Sequence, residues 1–301
     1  MKILFHLSGE NLRLSKMEVI YLLKAYDQKF RVIEEEGEVF VIETEDYRIF
    51  RRLALCHRVV EFWDNIKEFE GSFAVRIKGK NTFDIEKKIA AEIHKKYGNP
   101  VNLENPENEI YGIKHDKLYI GRTLFVIDRK GFERRKPQFR PYFHPSSLHP
   151  KYARALVNLS QAKKEVLDPF CGTGGILIEA GLMGLRVFGI DIEKKMVEGC
   201  EKNLDFYGVK DYSIKEGSAE DLDSYFQDIE STATDVPYGK STKLRVKYEK
   251  TFEKIYETSG NACIVLNREY NFEKIGFEVL DMEKLRMHRS LTRYIYVLKC
   301  D

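Results

Sequence analysis

The sequence contains no C-x-x-C pair. Its five cysteines, Cys56, Cys171, Cys200, Cys263 and Cys300, are scattered and odd in number. That excludes a disulfide framework or a zinc knuckle as the organising device. No apolar run approaches the length needed to cross a bilayer, and the start, Met1-Lys-Ile-Leu-Phe-His, lacks the features of a signal peptide. A cytoplasmic location is the expectation. Internal repeats and low-complexity tracts are absent as well. So is a large charge of one sign: 50 Lys/Arg against 48 Asp/Glu leave +2 over 301 residues, and the whole molecule is no polycation.

What is present is unevenly placed. A hydrophobic share of 43% is ample for two domains with separate cores. Nineteen Phe and 17 Tyr permit stacking surfaces besides core. Residues 1–150 hold 27 Lys/Arg against 23 Asp/Glu, and residues 151–301 hold 23 against 25. Between Arg122 and Arg154 there are nine basic and two acidic residues. Such a stripe is the electrostatic footprint of a polyanion partner.

The rest of the chain is organised around Val166-Leu-Asp-Pro-Phe-Cys-Gly-Thr-Gly-Gly-Ile-Leu-Ile-Glu-Ala-Gly, which closes at Val187-Phe-Gly-Ile-Asp191. It reads as strand, glycine turn, helix and second strand, the opening βαβ unit of a doubly wound sheet. Gly172, Gly174 and Gly175 let the backbone turn sharply near a ligand. Asp191 stands where a carboxylate can accept both hydroxyls of a ribose. A dinucleotide fingerprint needs G-x-G-x-x-G facing a pyrophosphate, and the third glycine is missing. Asp168 would repel a pyrophosphate and could pair with the ammonium of an amino-acid moiety. A nicotinamide oxidoreductase is therefore disfavoured.

D-P-F-C-G-T-G-G followed by a strand ending in Asp191 resembles motifs I and II of class I S-adenosylmethionine-dependent methyltransferases. The resemblance implies cofactor contacts from Asp168, Pro169, Gly172, Thr173, Gly174, Asp191 and Ile192. After the third strand, where that class usually has an acid beside the adenine, stand Ser218 and Ala219. Ser218 can still hydrogen-bond an adenine edge.

Thr234-Asp-Val-Pro-Tyr-Gly closes the fourth strand and resembles the [D/N/S]-P-P-[Y/F/W] signature of methyltransferases acting on exocyclic amines of bases. Such an amine is a poor nucleophile because its lone pair is delocalised into the ring. Hydrogen bonds to the Asp235 carboxylate and a neighbouring carbonyl, from Val236 or Pro237, would aim that lone pair at the methyl group. Tyr238 would stack on the base. Val236 departs from the signature, where proline is usual, and has no ring to lock φ. That departure motivates the alternative of a non-catalytic RNA-binding homologue.

Upstream, residues 1–62 read as strand, helix, two strands, helix, strand, the ferredoxin-like order. Ser15 is the expected cap of the first helix, Gly37 the turn of the hairpin, and Tyr47–Leu55 the second helix. F-A-V-R-I-K, I-A-A-E-I, V-N-L-E-N-P-E and L-Y-I-G-R, within residues 63–122, resemble the THUMP domain of RNA-modifying enzymes. Residues 123–150, Pro-, Arg- and aromatic-rich, are expected to form an extended spacer. Arg122, Arg134, Arg135, Lys136 and Arg140 are its candidate phosphate contacts. His144 and His149 read as hydrogen-bonding residues, since no set of acids or cysteines accompanies them. R-P-Y-F-H-P-S-S-L-H-P-K-Y-A-R-A-L-V-N-L is similar to the entry of the catalytic domain of THUMP-containing tRNA guanosine N2-methyltransferases. Arg286-Met-His-Arg-Ser-Leu-Thr-Arg looks like the same family and offers Arg289 as a further phosphate contact.

The fold class expected is thus α/β: a class I methyltransferase doubly wound sheet over residues 151–301, preceded by α+β ferredoxin-like and THUMP domains. The resemblance implies methyl transfer from S-adenosylmethionine to N2 of a tRNA guanosine, guanosine-10 foremost. Another tRNA or rRNA guanosine remains an alternative. Some members of the family work with a small zinc-binding activator subunit, which here would pair with the edge strand Tyr212–Lys215.

Overall fold

The computed structural model describes residues 1–144, 147–237, 248–288 and 291–300, without the side chains of 287, 288 and 291. It divides into two compact units: residues 1–16, 27–51 and 55–127, and residues 17–26, 52–54 and 128–301.

The chain begins with β1 (Lys2–Leu7), α1 (Leu12–Ala25), β2 (Phe30–Glu36), β3 (Val39–Thr44) and β4 (Cys56–Phe62). It continues with β5 (Phe73–Lys78), α2 (Phe83–Tyr97), β6 (Asn108–Lys114) and β7 (Leu118–Val126). The strands form one seven-stranded sheet in the order β2-β3-β1-β4-β7-β6-β5. Its first four strands pair antiparallel in the expected ferredoxin-like order. The boundary expected at 62/63 lies inside this sheet, because β4 pairs directly with β7, Glu61 opposite Arg122.

Local chemistry explains α2 well. Ile85, Ile89 and Ile93 recur every fourth residue, and Ile89 and Ile93 are buried. Acids occupy its first turn, His94, Lys95 and Lys96 its last, and Gly98 closes it at φ +77°. Two expectations need correction. Asn11, not Ser15, caps α1: its Oδ1 accepts from Leu14 N at 2.8 Å, and Ser15 Oγ donates back to Asn11 O. The helix expected over Tyr47–Leu55 is only a 3₁₀ turn, Arg48–Arg52.

The second unit contains α3 (Arg129–Arg134), α4 (Pro150–Leu159), β8 (Glu165–Asp168), α5 (Gly175–Gly181), β9 (Arg186–Asp191) and α6 (Lys194–Phe206). Next come β10 (Tyr212–Glu216), β11 (Ile229–Asp235), α7 (Tyr248–Thr258), β12 (Ser259–Leu266), β13 (Glu278–His288) and β14 (Leu291–Lys299). The sheet order is β10-β9-β8-β11-β12-β14-β13, the first five strands parallel and the last two antiparallel. Val166, Leu167, Val187, Ile190, Ala262, Cys263 and Ile264 are all fully buried, or within 1% of it, as near-continuous apolar runs in a two-faced parallel sheet must be. The strand order reverses between β8 and β11, where such sheets bind their ligands.

Much of the expected spacer, among its described residues, is folded. β7 runs on to Val126, Asp128 caps α3 by accepting from Gly131 N at 2.9 Å, and Phe132 is buried. From residue 128 onward the chain belongs to the second unit. His149 caps α4, its Nδ1 accepting from Lys151 N. Glu18 is buried in the same unit and accepts from Asn158 Nδ2 at 2.8 Å and Ala54 N at 2.9 Å. All five cysteines are buried and unbridged. Among the described residues no helix is long and apolar enough to cross a membrane.

Candidate active site

Three carboxylates mark the carboxyl edge of the second sheet. Asp168 is the last residue of β8, Asp191 of β9 and Asp235 of β11. They flank the point where strand order reverses. Asp168 and Asp191 were legible as acids following apolar strands, and Asp235 through the resemblance of its motif.

The glycine turn connects the first two. Gly172 and Gly174 take φ of +50° and +82°, the left-handed region where an L side chain is strained. At Gly174 a Cβ would also lie 2.8 Å from Cys200 Sγ on α6. Asp191 ties the turn down: its Oδ2 accepts from Gly172 N and its Oδ1 from Glu193 N, both at 2.9 Å. Asn203 of α6, fully buried, donates to the carbonyls of Thr173 (2.9 Å) and Tyr142 (3.0 Å). Sequence reading missed Asn203, since nothing in a helix interior announces a clamp on a turn 30 residues away.

Asp168 is 3% exposed, and both its hydrogen bonds fall on Oδ1, from Thr234 Oγ1 at 2.7 Å and Phe170 N at 3.1 Å. Burial pushes its carboxyl up to about 7, with a smaller upward push from Asp235 and Asp191. Such a group gains strongly from a cation brought to Oδ2. Burial likewise raises Asp191. Ile192, beside it, is 48% exposed and offers an apolar surface at the end of β9. Ser218 Oγ accepts from Glu220 N and caps the 3₁₀ turn Ala219–Ser224; Ala219 is buried. Two strand-end acids, the exposed Ile192 and a glycine turn fit an amino-acid-bearing nucleoside with a positive charge.

Asp235 is held differently. Its Oδ2 pairs with Arg293 Nη2 of β14 at 2.8 Å, while Oδ1 is buried without a hydrogen-bond partner among the described residues. Burial raises its carboxyl to about 6, against the lowering effect of Arg293. Val236, the departure from the signature, is 1% exposed, and its N–H donates to Val265 O at 3.0 Å. Proline has no such N–H. The ladder between β11 and β12 therefore runs one residue past Asp235, and a hydrogen bond restrains the backbone where a ring otherwise would. Pro237 O accepts from Tyr248 Oη at 3.2 Å. Tyr238 and Arg289 lie outside the described residues.

The basic candidates separate into two groups. Arg134 is exposed and paired with Asp128; Lys136 pairs with Glu133, and Arg122, in the first unit, with Glu61. Arg135 and Arg140 correct the expectation. Arg135 makes a two-pronged bond to Glu179 at 2.6 and 3.0 Å, and Arg140 is 5% exposed, its Nε donating to Arg135 O. Arg135 is thus tied to a carboxylate, and Arg140 is buried rather than displayed on the surface. Arg293 had been read only as part of a basic run, and the pleat turns it inward.

Comparison with known proteins agrees with this geometry. Residues 137–294 match the family described as UPF0020: RMKL-like, methyltransferase domain. The tRNA (guanine(10)-N2)-dimethyltransferase of Pyrococcus abyssi is 38% identical, with 89% of this chain and 91% of that protein covered. The protein of the same name from Methanothermobacter thermautotrophicus is 35% identical, with 99% of each covered. The crystal structure of TrmN from Thermus thermophilus superposes with a TM-score of 0.53 at 19% identity over the whole of both chains, which establishes the shared fold. This chain belongs to the UPF0020, RMKL-like methyltransferases and, within them, to the family of the archaeal tRNA (guanine(10)-N2)-dimethyltransferases.

Proposed function

We propose that the protein methylates the exocyclic N2 amine of guanosine-10 in tRNA, twice, with S-adenosylmethionine as donor. The observation that carries this reading is Asp235, with one oxygen paired to Arg293 and the other a buried acceptor without a partner among the described residues. A buried orphan acceptor costs free energy unless a ligand donor meets it, and an amine N–H is such a donor. The names of the relatives supply guanosine-10 and the second methyl group.

When bound, S-adenosylmethionine supplies an electrophilic methyl group on a sulfonium. Asp168 would hold its ammonium, Asp191 its ribose, and Ile192, Ser218 and Ala219 would border its adenine. Pro169, Gly172, Thr173 and Gly174 would shape the turn around it. Asp235 would accept one N–H of the amine and so direct the nitrogen lone pair, and its carboxylate could take the proton that the methylated nitrogen must release. Val236 and Pro237 offer backbone carbonyls to a second N–H, and Tyr238 a ring for stacking. The reading extends to residues 63–122 as a THUMP-type RNA-binding module, supported by the resemblance of their sequence, and to Arg122, Arg134, Lys136 and Arg289 as phosphate contacts. A tRNA substrate supports a cytoplasmic location.

The outer edge of β10 is unpaired within its sheet, which supports a strand-adding zinc-binding activator subunit there. Full activity of the protein as a purified monomer would oppose that partner.

The main test uses tRNA transcript and methyl-labelled cofactor, followed by nuclease mapping. Label is expected in N2-methyl- and N2,N2-dimethylguanosine at position 10, and none in a transcript with adenosine there. Label at another guanosine would keep the chemistry and move the site. Label on no guanosine overturns the reading.

A further inference from the structure

We infer that Arg293 is a positioning residue for methyl transfer, holding one oxygen of Asp235 so that the other stays open as the amine acceptor. The inference deepens the N2-methylation reading and rests on it.

The sheet register makes the arrangement specific. Asp235 lies opposite Val265 of β12, and Val265 lies opposite Ile295 of β14. Directly opposed residues share a face, as do residues two apart in one strand, so Arg293 and Asp235 project from the same side of the sheet. β12 separates them. Adjacent strands lie about 4.8 Å apart, so the guanidinium must reach across about 10 Å of backbone spacing, a span open only to a long side chain. It does so at the end of β12, whose last recorded partner in β14 is Tyr294 opposite Leu266. Arg293 is 8% exposed, and the pair sits 2.8 Å apart at the end of β11.

The electrostatic consequence follows from the surroundings. Among the described residues, the charges acting on Asp235 and its neighbour are Arg293 from β14, Asp168 from β8 and, through Asp168, Asp191 from β9. Among the described residues, Arg293 is the one cation set against these acids. Burial favours a neutral Asp235, and a neutral carboxylic acid would present a proton to the amine instead of accepting one. Arg293 opposes this and keeps the acceptor anionic. Its fork also fixes the plane of the carboxylate, which a point charge would not.

The test compares Arg293→Gln and Arg293→Lys with the wild type in single-turnover methylation from pH 5 to pH 10, with cofactor affinity from calorimetry. Removing an opposite charge at this distance is expected to raise the acid limb of the kcat profile by about one to three pH units in Arg293→Gln. At pH 7 that reads as a roughly 2- to 100-fold loss that recovers at high pH. Arg293→Lys should keep the limb near its wild-type position and lose roughly tenfold in kcat, as for one charge-assisted hydrogen bond, with KM for RNA unchanged. Cofactor affinity should not move in either. An unmoved limb in Arg293→Gln, or a loss that no pH restores, overturns the inference. Should Arg293→Gln not fold, a wild-type kcat in Arg293→Lys overturns it. No transfer by the wild type would overturn the underlying reading, and this inference with it.

Discussion

Asp235→Ala is expected to lower kcat for RNA methylation by about 10²–10⁴-fold, the range for a positioned acid–base group. Affinity for S-adenosylmethionine should stay unchanged. The amine of guanine shares its lone pair with the ring, so catalysis depends on holding it in one orientation beside an already reactive donor. Asp235 supplies that hold through an oxygen with no other partner among the described residues. Alanine removes the acceptor and leaves Arg293 facing a buried gap. Asp235→Asn keeps one oxygen but loses the anion, and should fall between wild type and alanine. Because burial places the Asp235 carboxyl at about 6, the wild-type rate should decline as pH falls through that value, where the acceptor becomes protonated. Single-turnover transfer of labelled methyl from pH 5 to 8 measures both effects. Wild-type turnover in Asp235→Ala would sink the catalytic assignment.

Glu179→Ala should be the most destabilising single change outside the site. Glu179 of α5 is fully buried, its Oε1 and Oε2 taking the fork of Arg135 and its Oε2 also Arg154 at 2.9 Å. One carboxylate thus fastens α5 to α4 and to the segment following α3. Its removal strands two largely buried cations, and breaking such a network costs about 3–5 kcal/mol. For a unit of this size that corresponds to a fall in Tm of roughly 6–20 °C. Glu179→Gln, which preserves volume and some hydrogen bonding, should lose less. Scanning calorimetry decides it: a shift of under about 2 °C would show that the guanidiniums find water instead.

These two residues show where sequence reading succeeds and where it stops. Asp235 was identifiable because strand, acid and turn are neighbours in the chain, and local order is what a linear text records. Asp168 and Asp191 were identifiable for the same reason, with the glycines between them. Arg135 and Arg140 were read as surface cations because a run of basic residues looks the same whether it faces water, a carboxylate or the protein interior. Their partner environment includes Glu179, 44 residues beyond Arg135, inside a helix whose apolar neighbours gave no hint of a counter-charge. The 3₁₀ turn at Arg48–Arg52 and the true cap at Asn11 were missed on a smaller scale, where tertiary packing overrides propensity.

The order of residues by itself determined the doubly wound sheet, the cofactor turn and the three strand-end acids, since each depends on spacings within about 25 residues. Only tertiary structure decided what Arg293 does. It lies 58 residues from Asp235 in the chain and two strands away in the sheet, and only the register of β11, β12 and β14 puts them on one face. The same register turned Val236 from an apparent lapse in the motif into a restrained position, by giving its N–H the carbonyl of Val265. A charge or a donor is written in the sequence; its partner is chosen by the fold.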